Sequence, residues 1–289
     1  MNTPLLQINN IVKHFPIHGG VLNKQVGKVH AVNNVSLSIN KGETLGLVGE
    51  SGCGKSTLGR VILQLYKQTS GSILFKNNDI TSLPRKERKE MRKDMQIIFQ
   101  DPYESLNSRH TVAHILEEPF IIHNVFNATA RKEAVKKLLK RVGLNEKAMN
   151  KFPHEFSGGQ RQRIGIARAI ALNPELIICD EPVSALDVSI QSQILNLLIE
   201  LQKELQLTYL FISHDLTVVR HISDKVAVMY LGKIVELTDA ETIYSTPLHP
   251  YTKALISAIP VPDPQRKKER ISIDGDVPSP INIPTGCSF

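Results

Sequence analysis

At 289 residues, 41% hydrophobic and 22% charged, the chain can bury a sizeable core, and its near-average composition excludes a wholly disordered, collagen-like or coiled-coil protein. At about 150 residues per domain, its length suggests roughly two domains. A net charge of +7 suits nucleic acid, anionic lipid or a polyanionic ligand and selects none of them, while the absence of Trp, with nine Phe and six Tyr, argues against an aromatic platform for single-stranded nucleic acid.

The longest apolar runs, such as Leu176-Ile177-Ile178-Cys179, are far too short to cross a bilayer. The opening Met-Asn-Thr-Pro-Leu-Leu-Gln has neither a basic start nor an apolar stretch, so no secretory signal is expected. Cys53, Cys179 and Cys287 are odd in number and lack metal-ligand or redox spacing; reduced thiols without bridges, and a cytoplasmic setting, are the expectation.

In chain order, short strands are predicted at 5–12, 35–39 and 44–48, the last entering a glycine-rich segment, and a helix opens at Lys55. A strand follows at 72–75, then a charged helix at 84–91 and a short strand at 95–99. The helix mixes both signs of charge and reads as a solvated face rather than a nucleic-acid patch. From about 101 to 171 strand signals vanish, and Val135, Leu138, Leu139 and Val142 recur at helical spacing, which predicts a helical insert. Strands return at 176–179, 209–212 and 226–230, with a helix carrying Ile190, Ile194, Leu197, Leu198, Leu201 and Leu205 on one side. This alternation predicts an α/β fold with a partly parallel sheet covered by helices. Beyond Pro247 the chain is Pro-rich, with one short helix expected at 252–258.

Gly49-Glu50-Ser51-Gly52-Cys53-Gly54-Lys55-Ser56, followed by Thr57, matches a phosphate-binding loop and lies between a predicted strand and helix, as that pattern requires. Glycines let successive N–H groups turn onto phosphates, the helix N-terminus adds positive charge, Lys55 reaches the β/γ-phosphates, and Ser56 can ligate Mg²⁺. The strand 176–179 ends in Asp180-Glu181, at the carboxyl end of the sheet where α/β folds bind ligands. Asp180 suits Mg²⁺, and Glu181 can polarise an attacking water. Ser157-Gly158-Gly159-Gln160 opens a helix with a serine cap, a second anion-binding start that suggests service to the nucleotide of another subunit.

These motifs, in this order, resemble those of ATP-binding cassette proteins over about residues 4–262. The resemblance implies a P-loop NTPase core with an antiparallel β subdomain at 1–100 and 172–246, a helical signature subdomain at 101–171, and a C-terminal extension at 247–289. It identifies Ser157-Gly158-Gly159-Gln160 as the signature motif, with Phe156 where the family usually has Leu. It also identifies Gln100 as a glutamine touching Mg²⁺ and the attacking water, Asp187 as part of the D-loop at Ser184-Ala185-Leu186-Asp187, and His214 as the switch histidine. Phe15 is the candidate for stacking on adenine, with His30 in that place or a core role for Phe15 as the alternatives, because the segment 18–28 reads as an insertion.

Pro247-Leu248-His249-Pro250-Tyr251-Thr252-Lys253-Ala254-Leu255 and Gln100-Asp101-Pro102-Tyr103-Glu104-Ser105-Leu106-Asn107 further resemble the ATP-binding subunits of oligopeptide and dipeptide importers; nickel and other small-solute importers share this subfamily. The resemblance implies ATP and Mg²⁺ as cofactors, transmembrane permease subunits and a second cassette as partners, a non-identical one being favoured and a homodimer the alternative, and indirect dependence on an extracytoplasmic solute-binding protein. It places the chain at the cytoplasmic face of the inner membrane. A soluble cassette ATPase acting on nucleic acid or ribosomes is the alternative from another class, and no nucleic-acid partner is expected. Relatives carry further tail cysteines associated with an iron–sulfur cluster; with Cys287 alone in this tail, a cluster is not expected.

Overall fold

A computed structural model describes residues 3–20, 23–259, 271, 278–284, 286 and 289. In chain order the elements are β1 (Leu6–Gly19), β2 (Lys24–Ile39), β3 (Thr44–Val48), α1 (Lys55–Ile62), β4 (Ser70–Phe75), β5 (Asn78–Asp79), α2 (Arg85–Met91), β6 (Met95–Ile98), α3 (Pro102–Ser105), α4 (Val112–Ile122) and α5 (Ala128–Arg141). They continue with α6 (Gly158–Ile170), β7 (Leu176–Asp180), α7 (Val188–Leu205), β8 (Thr208–Ser213), α8 (Leu216–Ile222), β9 (Lys225–Tyr230), β10 (Lys233–Asp239), α9 (Ala240–Ser245) and α10 (Pro250–Ser257). Short 3₁₀ turns at Glu146–Asn150 and Pro153–Glu155 lead into α6. The expected tail thiol Cys287 lies outside the described residues.

The chain folds as two compact units, Met1–Leu83 with Leu210–Phe289, and Pro84–Tyr209. In the first unit an antiparallel sheet runs β2-β1-β4-β5, with Leu6 opposite both Ile39 and Phe75. Its inward positions, among them Leu6, Ile8, Ile11, Val32, Ile39 and Ile73, are fully or nearly fully buried; each such side chain contributes about 1.5–3 kcal/mol through burial. The same unit carries β3 paired in parallel with β9, Leu45 to Lys225 and Val48 to Val228. Every residue of β3, and every residue of β9 but the first, is buried, which explains why these strands read as continuous apolar runs rather than alternating ones.

In the second unit β6 pairs in parallel with β7, Met95 to Leu176 and Ile98 to Cys179. Between Asp101 and Ala171 the chain forms only helices and loops, as its sequence period predicts. The stripe on α5 is buried at Val135, Leu138 and Leu139, and that on α7 at Ile194, Leu197, Leu198 and Leu201, so each helix turns its apolar side to the core. The unit's compact boundary at residues 84 and 209 takes in β6, β7 and α7 as well as the helices of 101–171.

Two expectations change. The predicted strand 5–12 extends to Gly19 and the predicted strand 35–39 starts at Lys24, so residues 18–19 and 24–28 of the segment read as an insertion belong to the distal arms of two long paired strands. Those arms are half-buried or exposed and therefore lack the strict apolar alternation that marks a one-sided strand.

Candidate functional site

In the first unit, β3 delivers the chain at Val48 into the loop 49–54, and α1 begins at Lys55. The loop follows this path because glycine stands at two crowded positions. A Cβ on Gly49 would collide with the Met229 carbonyl oxygen, and one on Gly54, at φ 109°, with that of Ala31. Neither position admits a side chain without displacing backbone. Lys55 is 4% exposed, and its ammonium is held by the loop's own carbonyls, Gly49 O at 2.7 Å and Glu50 O at 2.8 Å. No side chain caps α1, so its first-turn amides face the loop as a ready anion site.

Cys53 is buried within the loop, its Sγ 3.8 Å from Lys55 Nζ. Burial pushes its thiol up, and the nearby ammonium offsets only part of that. Ser56 and Thr57 open α1 beside Lys55. Phe15 lies on β1, half-buried, edge-on to Tyr66 at 5.4 Å with Lys13 Nζ 4.6 Å above its ring. His30 packs against His14, the ring centroids 4.2 Å apart and the planes tilted by 55°. His214 follows β8 directly and is exposed, and Asp215 beside it caps α8 by accepting from Thr217 N at 2.7 Å.

In the second unit, β7 ends on Asp180, which is 2% exposed. Glu181 follows with φ 48°, a left-handed conformation that costs a non-glycine residue energy and is concentrated at functional sites. The turn aims its carboxylate at Gln100, whose Nε2 donates to Glu181 Oε2 at 3.1 Å. Two residues taken separately from the sequence, 81 positions apart, thus form one polar pair at the ends of adjacent strands.

Ser157 caps α6 reciprocally: its hydroxyl accepts from Gln160 N at 3.4 Å, while Gln160 Oε1 accepts from Ser157 N at 3.1 Å, a capping box. Both side chains are exposed. A Cβ on Gly158 would press on Leu186 and one on Gly159 on Ile190, so small residues here let α6 start against the segment carrying the expected D-loop. Phe156 is 9% exposed, so the residue that departs from the usual leucine is a packing residue, and the polar start of the helix is preserved. Asp187 is exposed and supplies its carbonyl, rather than its side chain, to the first turn of α7.

Comparison with known proteins completes the picture. The family model for ABC transporters matches residues 32–184, and that described as the C-terminal region of oligopeptide/dipeptide transporters matches 235–289. The chain is 58% identical to the oligopeptide transport ATP-binding protein AppF of Bacillus subtilis, over 99% of this chain and 88% of that protein. It is 49% identical to the dipeptide transport ATP-binding protein DppF of Haemophilus influenzae, over 100% and 88%. Among solved structures, a dimeric ATP-binding cassette, MJ0796, in a post-hydrolysis state with ADP and Pi aligns at TM-score 0.71 and 29% identity, over 81% of this chain and 98% of that one. CbiO1 of Clostridium perfringens, part of an ABC transporter complex, aligns at TM-score 0.71 and 29% identity over 84% and 91%. With a P-loop NTPase fold and this degree of identity, the chain belongs to the ABC transporter family, as one of its ATP-hydrolysing cassettes.

Proposed function

We propose that this cassette powers the import of oligopeptides or dipeptides through separate membrane-spanning permease subunits, working with a second, non-identical cassette at the cytoplasmic face of the membrane. The observation that carries this reading is the presence, in one chain, of the cassette at 32–184 and the peptide-transporter C-terminal region at 235–289. No described helix is long and apolar enough to cross a membrane. A cavity of about 1020 Å³ in the second unit supports a docking role, its lining combining the apolar Ile97, Phe99 and Ile122 with the basic Arg85 and Lys89 of α2 and Arg92 just after it.

In this reading the loop 49–54, with Lys55, Ser56 and Thr57, cradles the phosphates, and Phe15 stacks on adenine. Ser157, Gly158, Gly159 and Gln160, with Asp187, address the nucleotide of the partner cassette. Ser56, Gln100 and Asp180 would hold Mg²⁺, each carrying a hard oxygen donor of the kind that ion takes. When bound, the ion neutralises charge on the phosphates. Glu181 accepts the proton of the attacking water, Gln100 holds that carboxylate in place, and His214 orients the γ-phosphate while Lys55 stabilises the charge that develops there.

The test is reconstitution of the chain with peptide-importer permease subunits and a second, non-identical cassette. Peptide-dependent ATP turnover and uptake are expected, and Glu181→Gln in this chain lowers turnover by about 10²–10⁴-fold while MgATP binding persists. Uptake of nickel but not peptide would reassign the cargo, and undiminished turnover in the variant would remove Glu181 from its role.

A further inference from the structure

The motif around His249-Pro250-Tyr251 lies far in sequence from every residue given a chemical role above, yet it reaches the phosphate loop. Tyr251 is fully buried, and its hydroxyl oxygen accepts the backbone N–H of Glu50, 201 residues away, at 3.0 Å. That N–H belongs to the same peptide unit as the Gly49 carbonyl, which accepts from Lys55 Nζ at 2.7 Å. In a trans peptide the C=O and N–H point in opposite directions, so Lys55 and Tyr251 grip this one plane from its two edges. Gly49 precedes the plane and carries no side chain to resist its rotation, so the two hydrogen bonds set its orientation.

Tyr251 is itself held by a chain of contacts. Glu236 on β10 accepts from Leu248 N and His249 N, both at 2.9 Å, fixing the turn before α10. His249 then caps that helix by accepting from Tyr251 N at Nδ1, 3.2 Å. The Tyr251 ring packs against Tyr230 at 4.5 Å and Phe289 at 6.0 Å. Few rotamers remain to a ring so enclosed, so its hydroxyl is a fixed acceptor.

We propose that Tyr251 is a positioning residue for nucleotide binding, and that the turn from Glu236 through His249 is a strut by which the C-terminal region holds the Gly49–Glu50 peptide, and through it Lys55, in the phosphate-binding arrangement. The inference rests on the reading of 49–56 as the phosphate site. Removing the hydroxyl leaves the Glu50 N–H without its acceptor and frees the plane to turn, and Lys55 loses one of its two carbonyl anchors.

The experiment is calorimetric titration of MgATP into the full chain. Tyr251→Phe keeps the ring and is expected to weaken binding about fivefold, the worth of one net hydrogen bond, at the parent's stoichiometry. Lys253→Ala, on the exposed side of the same helix, retains the parent affinity. Parent affinity in Tyr251→Phe, or reduced stoichiometry at parent affinity, overturns the proposal, because the tyrosine would then matter only for folding. Should Tyr251→Phe not fold, Glu236→Gln decides: about twofold weaker binding supports the strut and unchanged binding overturns it. A parent chain that bound no MgATP would instead sink the reading of the loop itself.

Discussion

Two opposing influences meet at Cys53. It sits at the N-terminal end of α1 with an ammonium 3.8 Å from its sulfur, a setting that ordinarily depresses a thiol pKa and makes a cysteine reactive. Burial prevails, and the pKa rises. Cys179, inside β7, is raised further by full burial and the adjacent Asp180. The thiolate is the nucleophile, so burial keeps both residues in the inert thiol form to a higher pH than an accessible cysteine. In native protein at pH 8, peptide mapping after alkylation is expected to show both modified more than roughly tenfold more slowly than an accessible thiol, with the difference vanishing in denaturant. Rapid labelling of Cys53 in the folded state would mean that the loop opens far more readily than its packing implies.

Elements were legible in the sequence to the extent that burial left a period in it. The fully buried β3, β7 and β9 and the one-sided α5 and α7 fall where their patterns place them. The edge strand β10, half-buried along most of its length, and the distal arms of the β1–β2 hairpin carry no such period; β10 is missing from the predicted strands, and the hairpin arms are predicted short. The phosphate loop and the Asp180-Glu181 step are local and could be read directly. Tyr251 could be quoted only as part of a resemblance, because nothing local links it to Glu50. Ser157 lies between these cases: its cap is legible, but a cap alone does not distinguish structure from function. Asp caps as well as Ser, so Ser157→Asp is expected to leave the melting temperature of the chain within about 2 °C. A carboxylate facing a partner's triphosphate would repel it, so turnover in the reconstituted cassette pair should fall by more than about tenfold. If turnover survives with stability, Ser157 is only a cap.

At the scale of the molecule, the chain divides its chemistry between two units, with Lys55, Ser56 and His214 in one and Gln100, Glu181 and Ser157 in the other. Ser157 and Gln160 satisfy each other at the start of α6 and are exposed, so the helix needs no further partner for stability, and an anion can be met there by exchanging water alone. A second cassette brought over this surface would supply the triphosphate, and release after hydrolysis would reverse the contact; closure is then a two-state event driven by differential affinity for ATP and ADP. Slowing hydrolysis should therefore hold the pair shut. With Glu181→Gln in this chain and a second, non-identical cassette as partner, sedimentation is expected to show a one-to-one complex with MgATP that dissociates with MgADP. The chain alone is expected to remain monomeric under the same conditions. A stable self-pair with full, substrate-stimulated activity in the parent would show that one kind of cassette suffices, and the non-identical partner would have to be abandoned.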